Sequence, residues 1–334
     1  MNSKEFAKLL GVSQSTVSRA LNNNPSISKE VRDHIQKEAK RVGFVLNNQA
    51  RSLKLSRTNT IGILLKNEFI SFSENLMVTS FLDSIQGELG EKGFDILIIP
   101  KEKETEESSP LIRIIKEHKV DGIISFRSLI SKEEKNLLTD TNTPIVYFFS
   151  TEIEDKDSLA FELDFHDVGY KEGEFLSRHQ GREYYYMDQE RKDLSPSKRV
   201  IGFSKGLAIN GKELKDVIYC KRNTESTYNY VINNPEIFSK EKISIAVYND
   251  LMALGVLMAL EKLNIRVPED VEIIGCDDIH IATWFPPYLS TARIPVGDMV
   301  KDGCNALIAN INGKGNSTEG KKYLVDLVLR NTTL

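Results

Sequence analysis

From residue 60 onward the sequence repeats one short theme, and that theme leaves few folds open. Apolar runs recur between polar stretches long enough for a helix. They are TIGILL (60–65), FDILIIP (94–100), VDGIISF (120–126), PIVYFFS (144–150), SLAFELD (158–164), EYYYMD (183–188), VIYC (217–220), ISIAVYN (243–249) and VEIIGCD (271–277). Continuous apolar strands suit a parallel sheet covered on both faces, because neither face meets water. Stretches between them, such as Leu76–Lys92 and Asp250–Leu263, carry amphipathic helical spacing. Strand–helix alternation of this kind predicts an α/β layered fold. The runs are too many for one small sheet, so two lobes are expected. A ligand crevice is then expected where strand carboxyl ends face each other.

The first sixty residues follow a different rule. Ser3 is expected to cap a helix over Lys4 to Leu10, with Phe6, Leu9 and Leu10 on one face. Gly11 suits the left-handed position that ends a helix. Ser13 caps a second predicted helix, Gln14 to Asn22, with Val17, Ala20 and Leu21 inward. Two helices joined by a short glycine-containing turn form a helix-turn-helix. Ser28 caps a third, with Val31, Ile35, Ala39 and Val42 as its stripe and Gly43 at its end.

The second helix is unusual for its outward face, which shows Gln14, Ser15, Thr16, Ser18 and Arg19. Side chains this short let a helix backbone sit deep in a major groove. Gln pairs with adenine, Arg with guanine, and a Thr methyl with the thymine methyl. Hydroxyls and the helix start hold phosphates. Charge agrees. Residues 1–60 hold eleven Lys/Arg and four acids, while the rest holds 33 bases and 44 acids. A basic module on an acidic body is a polyanion-binding pattern. The DNA-contacting set read here is Ser13, Gln14, Ser15, Thr16, Ser18, Arg19, Asn22 and Ser28.

The stretch 45–58 predicts a short helix, about 48–55, with Ala50 and Leu53 flanked by Arg51 and Lys54 and a cap at Asn47 or Asn48. It is too short to stand alone. It suits folding on a minor groove with Leu53 wedged into a base step, and two such helices, one per subunit, would support each other. Asn47, Ala50, Arg51 and Leu53 join the DNA set.

The run "SKEFAKLLGVSQSTVSRALNNNPSISKEVRDHIQKEAKRVGF", followed by "NNQARSLKLSRTNTIGIL", resembles the headpiece and hinge of lactose-repressor (LacI/GalR) family regulators. "VYNDLMALGVLMALEKLNIRVPEDVEIIGCDD", "FPPYLSTARIP" and "LVDLVLRNTT" resemble the second lobe and last strand of the same family. The resemblance covers nearly all of the chain, more loosely from Lys66 to Asp155. It implies a helix-turn-helix headpiece (1–45), a hinge (46–58) and a periplasmic-binding-protein-like body (59–334). The first lobe spans about 59–162 and 293–319, the second about 163–290 and 321–334. Crossovers are expected near Glu162–Asp164, Ser290–Arg293 and Gly313–Lys321. One departure is Leu46, where the family usually carries a proline.

Three polar residues fall at the family's ligand positions: Arg199, after EYYYMD, and Asn249 and Asp277, which end their strands. Arg, Asn and Asp converging on a cleft can bond sugar hydroxyls. Capping of the following helices is the alternative for Asn249 and Asp277. Trp284 and Phe285 can stack on a sugar face. Ser73, Glu74 and Asn75 form a polar wall in place of the family's Pro-Phe-Phe run. Phe149 stands where sugar-responsive members carry an acid. Ser195 is expected to start the helix that holds Arg199, with Pro196 in its first turn. The ligand set is therefore Ser73, Asn75, Phe149, Ser195, Arg199, Asn249, Asp277 and Trp284. These departures leave a disaccharide, a phosphorylated sugar and a non-sugar open.

Competing chemistry finds little support. "GFSKG" (202–206) matches G-x-S-x-G, but Ser204 falls within a predicted helix rather than on a strand-to-helix turn. There is no Walker A, no H-E-x-x-H, and the five histidines are dispersed. Cys220, Cys276 and Cys304 lack metal spacing and suit a reducing compartment. No apolar run reaches membrane-spanning length, and MNSKEFAKLL mixes acid and base unlike a signal peptide. The expectation is a cytoplasmic, cofactor-free, non-enzymatic regulator, read as a repressor of a carbohydrate-utilisation operon. It would bind near-palindromic double-stranded operator DNA as a homodimer, under a small-molecule effector, read as a sugar or sugar phosphate, with no membrane partner. A protein corepressor in place of the effector and a solute-binding protein are the alternatives. The chain ends four residues after Arg330, without a heptad tail for tetramers.

Overall fold

The computed structural model describes residues 1–21, 23–44, 57–66, 72, 75–99, 109–127, 130–149, 159–191, 196–314 and 319–334. The N-terminal module holds α1 (Ser3–Leu9), α2 (Gln14–Leu21) and α3 (Lys29–Val42). Asn2, not Ser3, caps α1. Its side chain accepts from the Lys4 and Glu5 amides while Glu5 accepts from the Asn2 amide. This reciprocal box satisfies more orphan N–H groups than a lone serine can. The inward pair is then Phe6 and Ala7, and Leu9 is left 56% exposed, against the sequence expectation. Val31 is also exposed, so the stripe on α3 reduces to Ile35 and Ala39, with Val42 partly buried. Phe44 closes the small core by stacking on Phe6 at 4.2 Å between centroids.

Two six-stranded sheets follow. The first has the order β11-β5-β4-β3-β1-β2, from β1 (Thr60–Leu64), β2 (Asp95–Ile99), β3 (Gly122–Ser125), β4 (Ile145–Phe148), β5 (Leu159–Leu163) and β11 (Lys321–Tyr323). The second has the order β12-β10-β9-β8-β6-β7, from β6 (Glu183–Gln189), β7 (Leu214–Cys220), β8 (Ile243–Val247), β9 (Val271–Asp277), β10 (Ser290–Arg293) and β12 (Asp326–Val328). All recorded pairings are parallel except β10 with β12. Each order reverses once, at β1 in the first sheet and β6 in the second. A ligand crevice belongs outside the strand ends at such reversals.

The helices used below are α4 (Leu76–Glu91), α5 (Pro110–Lys116), α6 (Lys132–Asp140), α7 (Phe165–Leu176), α8 (Lys198–Ala208), α9 (Thr224–Asn233), α10 (Pro235–Ser239), α11 (Asp250–Lys262) and α12 (Val296–Ile311). The chain leaves the first sheet after β5 and returns after Arg293, so that α12 covers the first sheet, with Leu307 near Gly122 and Gly303 against Phe148. The third crossing falls later than expected. Lys321–Tyr323 still pairs with β5, and only Leu324–Val325 separates it from β12 in the second sheet.

The tightest packing joins α7 and α8. Gly169 and Gly173 face Gly202 and Gly206, and a Cβ on any of the four would collide with the opposite helix backbone. The partner atoms are the carbonyls of Arg199, Phe203, His166 and Tyr170 in turn. Gly202→Ala is therefore expected to lower stability by about 3 kcal/mol, as overpacked cores do. Gly90→Ala on α4, where a Cβ meets nothing within 4 Å, is expected to raise stability by roughly 0.5–1 kcal/mol through helix propensity. Urea denaturation of both variants decides this; equal stability of the two would refute the close approach.

Candidate functional site

The outward face of α2 is polar, as its sequence implies. Gln14, Ser15 and Arg19 are exposed, and Thr16 and Ser18 are partly so. Ser13 accepts from the Thr16 amide at 3.1 Å, and its hydroxyl lies 2.7 Å from Ser15 Oγ and 2.8 Å from Thr16 Oγ1. These hydroxyls brace one another at the helix start. The side chains of Gln14 and Arg19 have no hydrogen-bond partner among the described residues, so both reach outward uncommitted. Gln36 of α3 donates to Ala20 O and to Asn23 Oδ1, which fixes the end of α2 against α3. Ser28 caps α3 through the Val31 amide. Asn22, Asn47, Ala50, Arg51 and Leu53 lie outside the described residues.

The second site lies at the carboxyl ends of the second sheet. Ser197, not Ser195, caps α8, and Ser195 lies outside the described residues, as does Ser73. The cap places Arg199 in the first turn, where it is 4% exposed. Its guanidinium lies over the Tyr248 ring at 4.5 Å and the Phe165 ring at 5.1 Å, and Nη1 donates to Tyr248 O. Aromatic faces on both sides suit a cation with few hydrogen-bond acceptors nearby.

Asn249 caps α11, its Oδ1 accepting from the Met252 amide at 3.0 Å. The capping alternative therefore holds for Asn249, which keeps its amide N–H₂ for other work. Asp277 caps nothing. It ends β9 with φ +118°, and the short 3₁₀ turn His280–Thr283 starts from Ile279. Burial pushes its carboxyl up to about 7, with Arg199 and then Arg222 opposing the rise.

Asp250, next to Asn249, is fully buried. It accepts from Thr291 Oγ1 at 2.7 Å and the Ile279 amide at 3.0 Å, tying α11 to β9 and β10. Asp278 pairs with both Arg293 and Arg330 and holds the start of the second crossover. Glu172 of α7 is fully buried with both carboxyl oxygens unpartnered, and burial drives its proton affinity well up. Tyr186 Oη and Arg199 Nε are also unpartnered in this layer. Elsewhere in the lobe buried Glu272 is answered by Ser244, Arg182 and the Leu334 amide.

The remaining expected residues are placed differently. Asn75 caps α4 through the Val78 amide, at the carboxyl end of the first sheet. Phe149 directly follows β4 and is only 8% exposed. Its ring packs on Phe81 at 4.8 Å and on Phe165 at 6.4 Å, so it seals the joint between the lobes instead of offering an open wall. Trp284 is 63% exposed, and no described contact links it to Arg199, Asn249 or Asp277. Its neighbours Phe285, Pro286 and Pro287 line a groove of about 700 Å³ against Leu254, Leu257 and Met258 on the outer face of α11. Phe165, Tyr248 and Glu172 were not legible as site residues, because each joins Arg199 only through the sheet order. Ser204 sits mid-helix in α8 and donates to Val200 O. Among the described residues no His/Cys/Asp/Glu group can hold a metal ion, and no helix is long and apolar enough to cross a membrane.

A carboxyl raised from 3.8 to about 7 stabilises the fold while protonated, and that contribution fades as pH rises through about 7. Asp277→Asn should therefore gain stability relative to the parent between about pH 4 and pH 8, read by urea denaturation across that range. Parallel curves for the two proteins would remove Asp277 from the titrating set.

Comparison with known proteins places the N-terminal module and the two-sheet body in one architecture. A family model described as bacterial regulatory proteins, lacI family, matches residues 4–47, and one described as a periplasmic binding protein-like domain matches residues 174–333. The HTH-type transcriptional repressor PurR of Vibrio parahaemolyticus is 26% identical over 332 residues, covering 98% of this chain and 97% of that one. The lac repressor dimer bound to operator and the anti-inducer ONPF superposes with a TM-score of 0.80 at 18% identity, covering 100% of this chain and 99% of that chain. A complex of the transcriptional regulator CelR with cellobiose superposes at 0.67 and 20% identity, covering 99% of each chain.

Proposed function

Because the chain belongs to the lacI family of bacterial regulatory proteins and is a transcription regulator rather than an enzyme, we propose that it represses a carbohydrate-utilisation operon as a homodimer on a near-palindromic operator, under a carbohydrate effector. The observation that carries the DNA-binding part is the outward face of α2, where Gln14 and Arg19 extend without internal partners beside short hydroxyl residues. A lone headpiece offers few base contacts, so a two-fold pair reading two half-sites is the economical arrangement.

Two apolar surfaces favour a second copy of this chain. One is the groove of Phe285, Pro286 and Pro287 against Met258 and its neighbours on α11. The other is edge strand β2, where Ile98 is 44% exposed. They lie one on each lobe, so a dimer using both would feel any change in the angle between lobes.

The effector is read as a carbohydrate because Arg199, Asn249 and Asp277 offer mixed donors and acceptors beside the Tyr248 and Phe165 rings. The likeness to the cellobiose complex supports this reading. Coupling to DNA runs through α12. It begins just after the second crossover, and its last turn receives Arg57, which donates to Ile311 O and Asn312 Oδ1 at 2.9 Å each. Asp121 accepts from Thr58 and Asn59 beside it. Closure of the cleft shifts the crossover, α12 and Arg57 together, and so resets the entry to the DNA module. The effect on operator affinity is bounded by the effector's preference for one lobe arrangement.

Fluorescence anisotropy of the full chain on DNA from upstream of its own and neighbouring genes tests this over a salt series, then with a sugar panel. Tight binding to one fragment should fall steeply with salt. Arg19→Ala and Gln14→Ala should each weaken that fragment by roughly 5- to 150-fold while sparing non-specific DNA. Equal, weak binding to every fragment would sink the operator reading. For the dimer, Met258→Glu combined with Phe285→Ser should sediment as a monomer where the parent sediments as a dimer; an unchanged sedimentation coefficient would place the interface elsewhere.

A further inference from the structure

One buried carboxyl of the second lobe is answered by no described residue. Glu172 stands on α7 one helical turn from Val168 and one from Leu176, and all three are fully buried. That stripe meets the second sheet. Val168 packs in the cluster that holds Cys276, and Leu176 in the cluster that holds Tyr186, Ala246 and Ile274. The last three lie side by side in register across β6, β8 and β9. Glu172 therefore enters the layer between α7 and the sheet, with apolar neighbours on its own stripe.

A carboxyl without partners in such a layer is costly. Both Glu172 oxygens are unpartnered, and so are Tyr186 Oη, on a fully buried residue, and Arg199 Nε, on one 4% exposed. Packing gathers these groups. The Tyr186 ring meets Phe203, one turn beyond Arg199 on α8, at 5.3 Å. Gly169, on the turn of α7 before Glu172, lies against the Arg199 carbonyl.

Side chains on a helix lean toward its N-terminus. On α7 that is the direction of Phe165, whose ring lies 5.1 Å from the Arg199 guanidinium. Phe165 to Glu172 is a rise of roughly 10 Å along the helix, and a glutamate side chain covers only part of it. Glu172 thus leans toward Arg199, and no hydrogen bond joins them.

The groups match in kind. Arg Nε only donates, a tyrosine hydroxyl donates and accepts, and a neutral carboxyl does both. Matching polar groups that stand apart in a buried layer are joined by internal water, which makes about three hydrogen bonds. The surrounding charges agree. Burial raises the proton affinity of Glu172; Arg199 of α8 opposes the rise, while Asp250 of α11 and Asp277 of β9 add to it. Burial also holds the Tyr186 hydroxyl and the Cys276 thiol in their neutral forms, and Glu172 reinforces both.

We propose that Glu172 is a positioning residue for Arg199: with the Tyr186 hydroxyl it encloses internal water that accepts from Arg199 Nε. Nη1 is already tied to Tyr248 O. A second anchor at Nε fixes the plane of the guanidinium between the Tyr248 and Phe165 rings and leaves its other N–H groups for a ligand. The inference rests on the effector reading of Arg199 only for its functional consequence.

NMR of the full, ligand-free chain with isotope-labelled arginine nitrogens tests it. Arg199→Lys identifies the Arg199 Nε–H signal. In the parent that signal should show a cross-peak to water, and Glu172→Gln, which keeps a donor and an acceptor, should preserve it. Glu172→Leu should abolish the cross-peak, and Tyr186→Phe should shift the signal. Should Glu172→Leu fail to fold, Tyr186→Phe still decides. A parent signal without a water cross-peak, a cross-peak that survives in Glu172→Leu, or a signal that Tyr186→Phe leaves in place overturns the network. Sugars that bind Arg199→Lys as tightly as the parent count against the effector reading and leave the network standing.

Discussion

The backbone of Arg199 lies so close to Gly169 that a methyl group on that glycine would collide with the Arg199 carbonyl. This contact sets the geometry of the second lobe. It repeats at Gly173, Gly202 and Gly206, and locks α7 and α8 into one unit. Because the first turns of both helices face the cleft, the lock brings Phe165 under the Arg199 guanidinium. A wider helix spacing would open a gap there, and a buried arginine without its aromatic seats would face a large desolvation cost. The cation, its carboxylate Asp277 and the strand ends around it follow from one steric decision.

The two lobes are joined by the crossovers and by aromatic packing beside the first of them. Phe149 from the first lobe meets Phe165 from the second, and Phe165 meets Arg199. Asp278 grips Arg293 and Arg330 where β10 leads out of the second lobe. From there α12 runs along the first sheet to Arg57, the first described residue after the hinge stretch. Packed helices transmit displacement because close-packed interiors compress little.

The strands and most helices could be read directly from the sequence because their burial is local and repetitive. Ile243–Val247 is fully buried along its length, as its uninterrupted apolar run requires of a strand covered on both faces. The caps at Ser13 and Ser28 and the left-handed glycines at 11 and 43 rest on nearest-neighbour backbone chemistry, which is equally local. Asn2 displaced Ser3 because a capping box needs Glu5 to answer, and the choice between adjacent caps is a small energy difference.

What the sequence by itself determined is therefore the list of elements, their order, the basic N-terminal module with its polar second helix, and the presence of Arg199, Asn249 and Asp277 at element ends. Only the tertiary structure decided which of those ends meet. It assigned Asn249 a cap, gave Asp277 a raised proton affinity, left Trp284 exposed and buried Phe149. It also buried Glu172 beside the layer that holds Arg199, from an element far along the chain. The reason is that desolvation and charge act through space. A carboxyl or guanidinium takes its character from the strands and helices around it, and sheet order, not sequence spacing, chooses those neighbours.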